Sequence, residues 1–170
     1  LGLDISGTAV GNDFCVAPGA KRDQEIAQVK TWIDRAARLN APVIRVFAGR
    51  AAKGDSEDQA VERAVQGFKE VLPHAGSRGV FLALENHGGI TATPKQMLKI
   101  VEAVDSPWFG VNLDTGNFHT DDPYRDLAAI APYAVNVQVK TEIDRGAGKG
   151  KEPADLSRVF EILRQAHYSG

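Results

Sequence analysis

The sequence is short of several things, and each shortage closes off a class of function. It has one cysteine, Cys15, so no intrachain disulfide and no thiolate metal cluster can form. That shortage suits a reducing cytoplasm, the expected location. No stretch of about 18 apolar residues occurs, which argues against a membrane span. Neither sign of charge dominates: 20 basic residues stand against 22 acidic ones, for a net charge of -2. Binding a phosphate backbone draws on a concentrated basic patch, so nucleic acid and an acidic membrane are disfavoured as partners. There is no low-complexity segment and no domain linker. The chain begins at Leu1 without a leader pattern; a signal peptide upstream of Leu1 is left open, as is a homo-oligomer.

What is present is ordinary for a globular protein. With 43% hydrophobic and 25% charged residues over a length of 170, residues 1–170 suffice for a single domain with a sizeable core. The rhythm along the chain is strand, then helix, repeated. "LGLDISGTAV" (1–10) reads as a strand, followed by a helix over 21–39 whose stripe includes Ile26, Val29, Ile33, Ala36, Ala37 and Leu39. "PVIRVFAG" (42–49) is a second strand. Asp55 or Ser56 caps the next helix, 57–77, which buries Val61, Ala64, Val65, Phe68, Val71 and Leu72. "GVFLALEN" (79–86) is a third strand, nearly all apolar, as expected where both faces are covered.

Thr93 and Pro94 open the helix that follows. "FGVNLDTGN" (109–117), a short helix at 123–131, "YAVNVQVKTE" (133–142), a basic glycine-rich loop (145–151) and a last helix beyond Pro153 complete the chain. Five strands alternating with five helices imply right-handed crossovers and a parallel α/β sheet. Periodicity alone fits a doubly wound sheet and part of a (β/α)8 barrel equally well.

The polar residues near the strand ends carry the functional signal, because parallel α/β folds gather their chemistry at the carboxyl ends of strands. The third strand ends Glu85-Asn86-His87, the fourth ends Asp114-Thr115-Gly116-Asn117, and the fifth reads Asn136-Val137-Gln138-Val139-Lys140. Alternation places Glu85 with His87, Asn112 with Asp114, and Asn136 with Gln138 and Lys140 on common faces. If these ends line one barrel mouth, Glu85, Asp114 and Gln138 converge. Two carboxylates and an amide oxygen make a hard site suited to Mg2+ or Mn2+. Without a cation the carboxylates would repel, and one would hold a proton. His87 and Asn117 lie where substrate hydroxyls can be hydrogen-bonded, and Lys140 where an oxyanion or phosphate can be steadied. Arg45, inside an apolar strand, is either a further interior residue of the site or half of a buried ion pair. Cys15 reads as a small packing residue, since no base accompanies it. His74 and His167 fall on helices and His119 in a polar loop.

"FLALENHGG", "FGVNLDTGNF" and "VNVQVKTE" resemble the fifth, sixth and seventh strands of the xylose isomerase-like TIM barrels, the sugar phosphate isomerase/epimerases. "APVIRVFAG" is similar to their fourth strand and "LGLDISGTA" to their third. The resemblance covers essentially the whole chain. It implies a (β/α)8 TIM barrel, of which residues 1–170 hold about five β/α units, strands three to seven, without the first two strands and the last. In that family a divalent metal is held by a strand-five Glu, a strand-six Asp, a strand-seven His and a strand-eight Glu. By position Glu85 and Asp114 match the first two ligands. Gln138 stands where the His would be, a departure that keeps an oxygen donor and weakens the claim on zinc. The strand-eight Glu has no counterpart here. The implied cofactor is therefore a divalent ion, Mn2+ or Mg2+ ahead of Co2+ or Zn2+.

The resemblance further implies an isomerase or epimerase of a small sugar, sugar phosphate or polyol derivative. Such an enzyme removes a proton next to a carbonyl through a metal-stabilised enediolate, with Glu85 both ligand and acid/base. A lyase that dehydrates a keto-polyol on the same site and a non-catalytic sugar-binding barrel are the alternatives. A DNA-repair nuclease on this barrel would need clustered histidines and a basic face, and four scattered His at net charge -2 supply neither.

Overall fold

The computed structural model describes residues 2–146 and 150–170. Its centre is a parallel sheet of five strands: β1 (Thr8–Ala9), β2 (Val43–Val46), β3 (Phe81–Glu85), β4 (Phe109–Asp114) and β5 (Ala134–Gln138). Their spatial order is their sequence order, β1-β2-β3-β4-β5. That order separates the two candidate architectures. A doubly wound sheet reverses direction at a switch point, whereas unbroken right-handed crossovers put every helix on one side and curl the sheet. The helices α1 (Ala20–Arg38), α2 (Glu57–Ser77), α3 (Pro94–Val104), α4 (Pro123–Ile130) and α5 (Leu156–Gln165) pack as neighbours in that same sequence. The fold is a curled half-barrel of five parallel strands, part of a TIM barrel.

Local chemistry explains the helix boundaries. Ser56 and Thr93 each form a capping box, with Gln59 and Gln96 returning the bond. Asp122 and Asp155 cap α4 and α5 through their side chains. The outward side chains Ile44, Val46, Leu82, Leu84, Val111 and Leu113 are buried against the helices, which contribute Val29, Ile33, Phe68, Val71, Met97 and Ile100. Facing inward along the register run Ala9, Arg45, Ala83 and Gly110, and beyond them Glu85, Asn112 and Asn136, then Asp114 and Gln138. The apolar set thus faces the helices and the polar set faces the hollow of the half-barrel. The residues flanking Arg45 in its row are all small, which leaves room for its long side chain.

Five sequence expectations change. The first strand shrinks from residues 1–10 to Thr8–Ala9. Among the described residues it pairs only with β2, and Leu3 and Ile5 are exposed. The strand expected over 133–142 stops at Gln138, because Thr115 Oγ1 accepts the Lys140 N–H at 2.8 Å and draws the chain out of the ladder. The loop expected over 145–151 is flanked by an antiparallel hairpin, β6 (Glu142–Asp144) with β7 (Lys151–Pro153), and its residues 147–149 lie outside the described residues. Leu39 lies past the end of α1 and is exposed, and His167 sits beyond α5 with a positive φ of 56°.

The β4–β5 ladder carries a register shift at Val111/Asn112, the mark of a bulge. Gly110 makes it possible: a Cβ there would meet Val135 Cγ1 at 2.5 Å and the Tyr133 carbonyl at 2.9 Å. Gly110→Ala is therefore expected to cost about 1–3 kcal/mol by overpacking. A urea titration should show a lower midpoint at unchanged slope, and an unmoved midpoint would contradict this packing.

Candidate functional site

At the carboxyl end of β3, Glu85 is only 4% exposed. A buried carboxylate needs partners, and it has them. Asn117 Nδ2 donates to Oε1 at 3.1 Å, and His87 Nδ1 lies 3.2 Å from the same oxygen. Oε2 sits 2.9 Å from Arg45 Nε. That contact pairs the charges without aligning as a hydrogen bond, so Oε2 is a buried oxygen with no hydrogen-bond donor. Arg45 Nη1 donates to the Val10 carbonyl at 3.3 Å. Its guanidinium carbon lies 4.1 Å from the centre of the Phe47 ring, and the His87 ring lies 4.6 Å from that same ring. Phe47 thereby fixes both the cation and the imidazole that attend Glu85.

Asp114, at the end of β4, is 1% exposed. Its Oδ1 accepts the Gly116 N–H at 2.9 Å, and its Oδ2 pairs with Lys140 Nζ at 3.1 Å. Gln138 is its register partner on β5 and makes no side-chain hydrogen bond among the described residues. The expected residues therefore gather at one mouth, although their partners differ from those anticipated. His87 and Asn117 are bonded to Glu85. Lys140 is bonded to Asp114. Arg45 is both of the things its sequence context allowed, an inward-facing residue and half of an ion pair.

Sequence reasoning missed the amides that hold this mouth in shape. Asn86, fully buried, donates from Nδ2 to the Asp114 carbonyl and accepts the Asp114 N–H at Oδ1, both at 2.9 Å. Asn12 does the same to Phe47, at 2.7 and 2.9 Å. Each side chain extends the ladder by one rung beyond its strand, fixing the backbone of the neighbour that bears a site residue. The available signal was an Asn just past an apolar strand, which sequence alone cannot distinguish from a turn former.

The donor set fits a hard divalent ion. Two buried carboxylates stand at adjacent strand ends with an amide beside them and an unbonded oxygen on Glu85, the character expected of an Mg2+ or Mn2+ site. No group of three His, Cys, Asp or Glu is clustered for a metal among the described residues; the amide next to Asp114 in the ladder is that of Gln138. Cys15 lies elsewhere in the core, its thiol pushed up to about 12 by burial and by the nearby Asp13 charge. It is neither a nucleophile nor a ligand at this mouth. His74 pairs with Asp34 at 3.1 Å on the outer surface, and His119 lies 3.4 Å from Asp144.

Two hollows flank the carboxylates. One, of about 220 Å³, includes Asn12, Asp13, Phe47, Arg50 and His87. The other, of about 250 Å³, includes Asn117, His119, Lys140 and Asp144. A larger hollow of about 630 Å³ lies outside, between α1 and α2, and shares no residue with the strand ends. Among the described residues no helix is long and apolar enough to cross a membrane.

Comparison with known proteins places this geometry. The sequence matches the family described as xylose isomerase-like TIM barrel over residues 1–170. No curated protein matches it. Among solved structures it is similar to 3-keto-D-glucoside 4-epimerase from E. coli, at 18% identity and a TM-score of 0.80, over 99% of this chain and 70% of that one. It is also similar to mannonate dehydratase from Streptococcus suis serotype 2, at 16% identity and 0.75, over 99% and 67%. A third likeness is to a xylose isomerase-like TIM barrel protein from Mycobacterium smegmatis in complex with magnesium, at 18% and 0.70, over 94% and 62%. The chain spans between 57% and 70% of the length of such solved chains.

The Arg45–Glu85 pair makes a testable demand on stability. Removing one partner of a buried pair leaves the other charge uncompensated, at a cost of about 3 kcal/mol. Arg45→Met is expected to lose about that much in chemical denaturation, and the double variant R45M/E85Q to recover most of it. A single variant as stable as the wild type would show that the pair does not hold Glu85.

Proposed function

The chain belongs to the xylose isomerase-like TIM barrel family, and from that premise we propose that it forms the active site of a carbohydrate-modifying enzyme. The reaction we infer is removal of a proton next to a carbonyl of a small sugar, sugar phosphate or polyol derivative, as an isomerase or epimerase. The observation that carries this reading is Glu85. It is a carboxylate shielded from water, held by Arg45, His87 and Asn117 on the inward face of the sheet.

Each side chain has a part in that reading. Glu85 takes the proton. Arg45, across from Oε2, pairs with the carboxylate and aims it. His87 and Asn117, now on Oε1, exchange that oxygen for substrate hydroxyls when substrate enters. Asp114 and Gln138, side by side in the ladder, would with Glu85 hold a divalent ion, and Lys140, half exposed, would move from Asp114 to the substrate. Such an ion stabilises negative charge developing beside the carbonyl, worth several kcal/mol in a shielded site. Asn86 and Asn12 keep the backbones of Asp114 and Phe47 from shifting during the transfer.

A lyase reading shares the proton abstraction and adds an acid for the departing hydroxyl, a part His87 can take. It is favoured by the likeness to a mannonate dehydratase. Incubation with a panel of ketoses, their phosphates and keto-polyols in D2O with Mn2+ tests both. Deuterium is expected at the carbon next to the carbonyl, at a rate reduced at least about 100-fold in E85Q. An unsaturated product would select the lyase. Absence of exchange across the panel would contradict both and leave a sugar-binding barrel.

A further inference from the structure

Three cations gather at the mouth of the half-barrel. Arg45 is matched to Glu85 and Lys140 to Asp114. Arg50, four residues past the end of β2, is exposed and has no hydrogen bond or ion pair among the described residues. Most other arginines of the chain have a carboxylate partner: Arg22, Arg63, Arg78, Arg125, Arg145, Arg158 and Arg164 are each ion-paired.

The position of Arg50 is built. Gly88 and Gly89 follow His87 with φ of 72° and 55°, in a turn closed by Thr91 Oγ1 donating to the Gly88 carbonyl at 2.8 Å. A Cβ on Gly89 would lie 2.6 Å from the Gly49 carbonyl and 2.8 Å from Arg50 Cγ, and one on Gly88 would lie 3.4 Å from Arg50 Nη2. The two glycines therefore let the Arg50 side chain lie flat against the turn. It lines the same hollow of about 220 Å³ as His87, whose ring touches Glu85. Asp13 lines that hollow too, with its Oδ1 accepting the Cys15 N–H at 2.9 Å.

We propose that Arg50 is a specificity-determining residue that binds an anionic group of the substrate, a carboxylate or a phosphate, beside the reacting carbon. The guanidinium offers a planar fork of donors that matches either group in bidentate fashion. Arg45 and Lys140 are neutralised by their own carboxylates, whereas Arg50 has no carboxylate partner among the described residues. The proposal rests on the reading of these strand ends as a substrate site, and it narrows the substrate to an acidic or phosphorylated sugar derivative.

Calorimetric titration of the whole chain with inorganic phosphate and, separately, with acetate tests it in wild type, R50Q and R50K. Wild type is expected to bind at least one of the two anions with a Kd on the order of millimolar, and the anion that binds identifies the group. R50Q should weaken that Kd at least about tenfold while melting like the wild type, and R50K should fall between. No binding of either anion to the wild type, or equal binding by R50Q, overturns the proposal. Anion binding that persists in a protein showing no proton exchange would sink the catalytic reading and leave the Arg50 subsite standing.

Discussion

A carboxylate buried at the end of a strand has to be matched by something, and the architecture of this half-barrel mouth follows from how Glu85 is matched. At 4% exposure it is too shielded to rely on water. Its charge is met by Arg45 from the adjacent strand, and that arginine fits only because Ala9, Ala83 and Gly110 occupy its row. Phe47 holds the guanidinium from one end of β2, and the same ring holds His87 against the other oxygen of Glu85. Asp114 repeats the arrangement one strand on, with Lys140 as its cation. Both sites have a charge partner, yet one oxygen of Glu85 keeps no aligned donor.

The sheet separates two tasks by the alternation of its side chains. Its outward residues are buried against a layer of helices and supply the core. Its inward residues are small or polar and supply the chemistry. The strand ends carry most of the polar load, and buried amides lock them. Asn12 and Asn86 add a rung beyond β1 and β3, so the segments bearing Phe47 and Asp114 are held as firmly as the strands themselves.

Much of this was legible in the sequence, and the reasons are physical. The helices announced themselves through caps such as Ser56 and Thr93 and through stripes such as Val61, Ala64, Val65 and Phe68, all buried as their spacing required. Period-two alternation grouped Glu85 with His87, Asn112 with Asp114, and Asn136 with Gln138 and Lys140; the register sets Glu85 opposite Asn112 and Asp114 opposite Gln138. Strand order was not legible from periodicity, which carries no topology; the family resemblance implied it, and the order β1-β2-β3-β4-β5 agrees. Partners were not legible either: nothing in "PVIRVFAG" says that Arg45 reaches Glu85, about 40 residues away in sequence, across one parallel pairing. The hairpin of Glu142–Asp144 with Lys151–Pro153 was missed because its strands are short and mostly exposed, with little apolar alternation to read. The turn made by the two glycines after His87, and their close approach to Gly49 and Arg50, could come only from the folded chain.

The central claim is that Glu85, Asp114 and Gln138 together form a divalent-cation site whose charges Arg45 and Lys140 otherwise balance. Diffraction from crystals soaked in Mn2+, with anomalous scattering recorded at the manganese edge, tests it most directly. The account predicts one strong anomalous peak within bonding distance of oxygens from all three residues, with the Lys140 ammonium withdrawn from Asp114. A peak elsewhere, or none while Lys140 keeps its contact with Asp114, would contradict it.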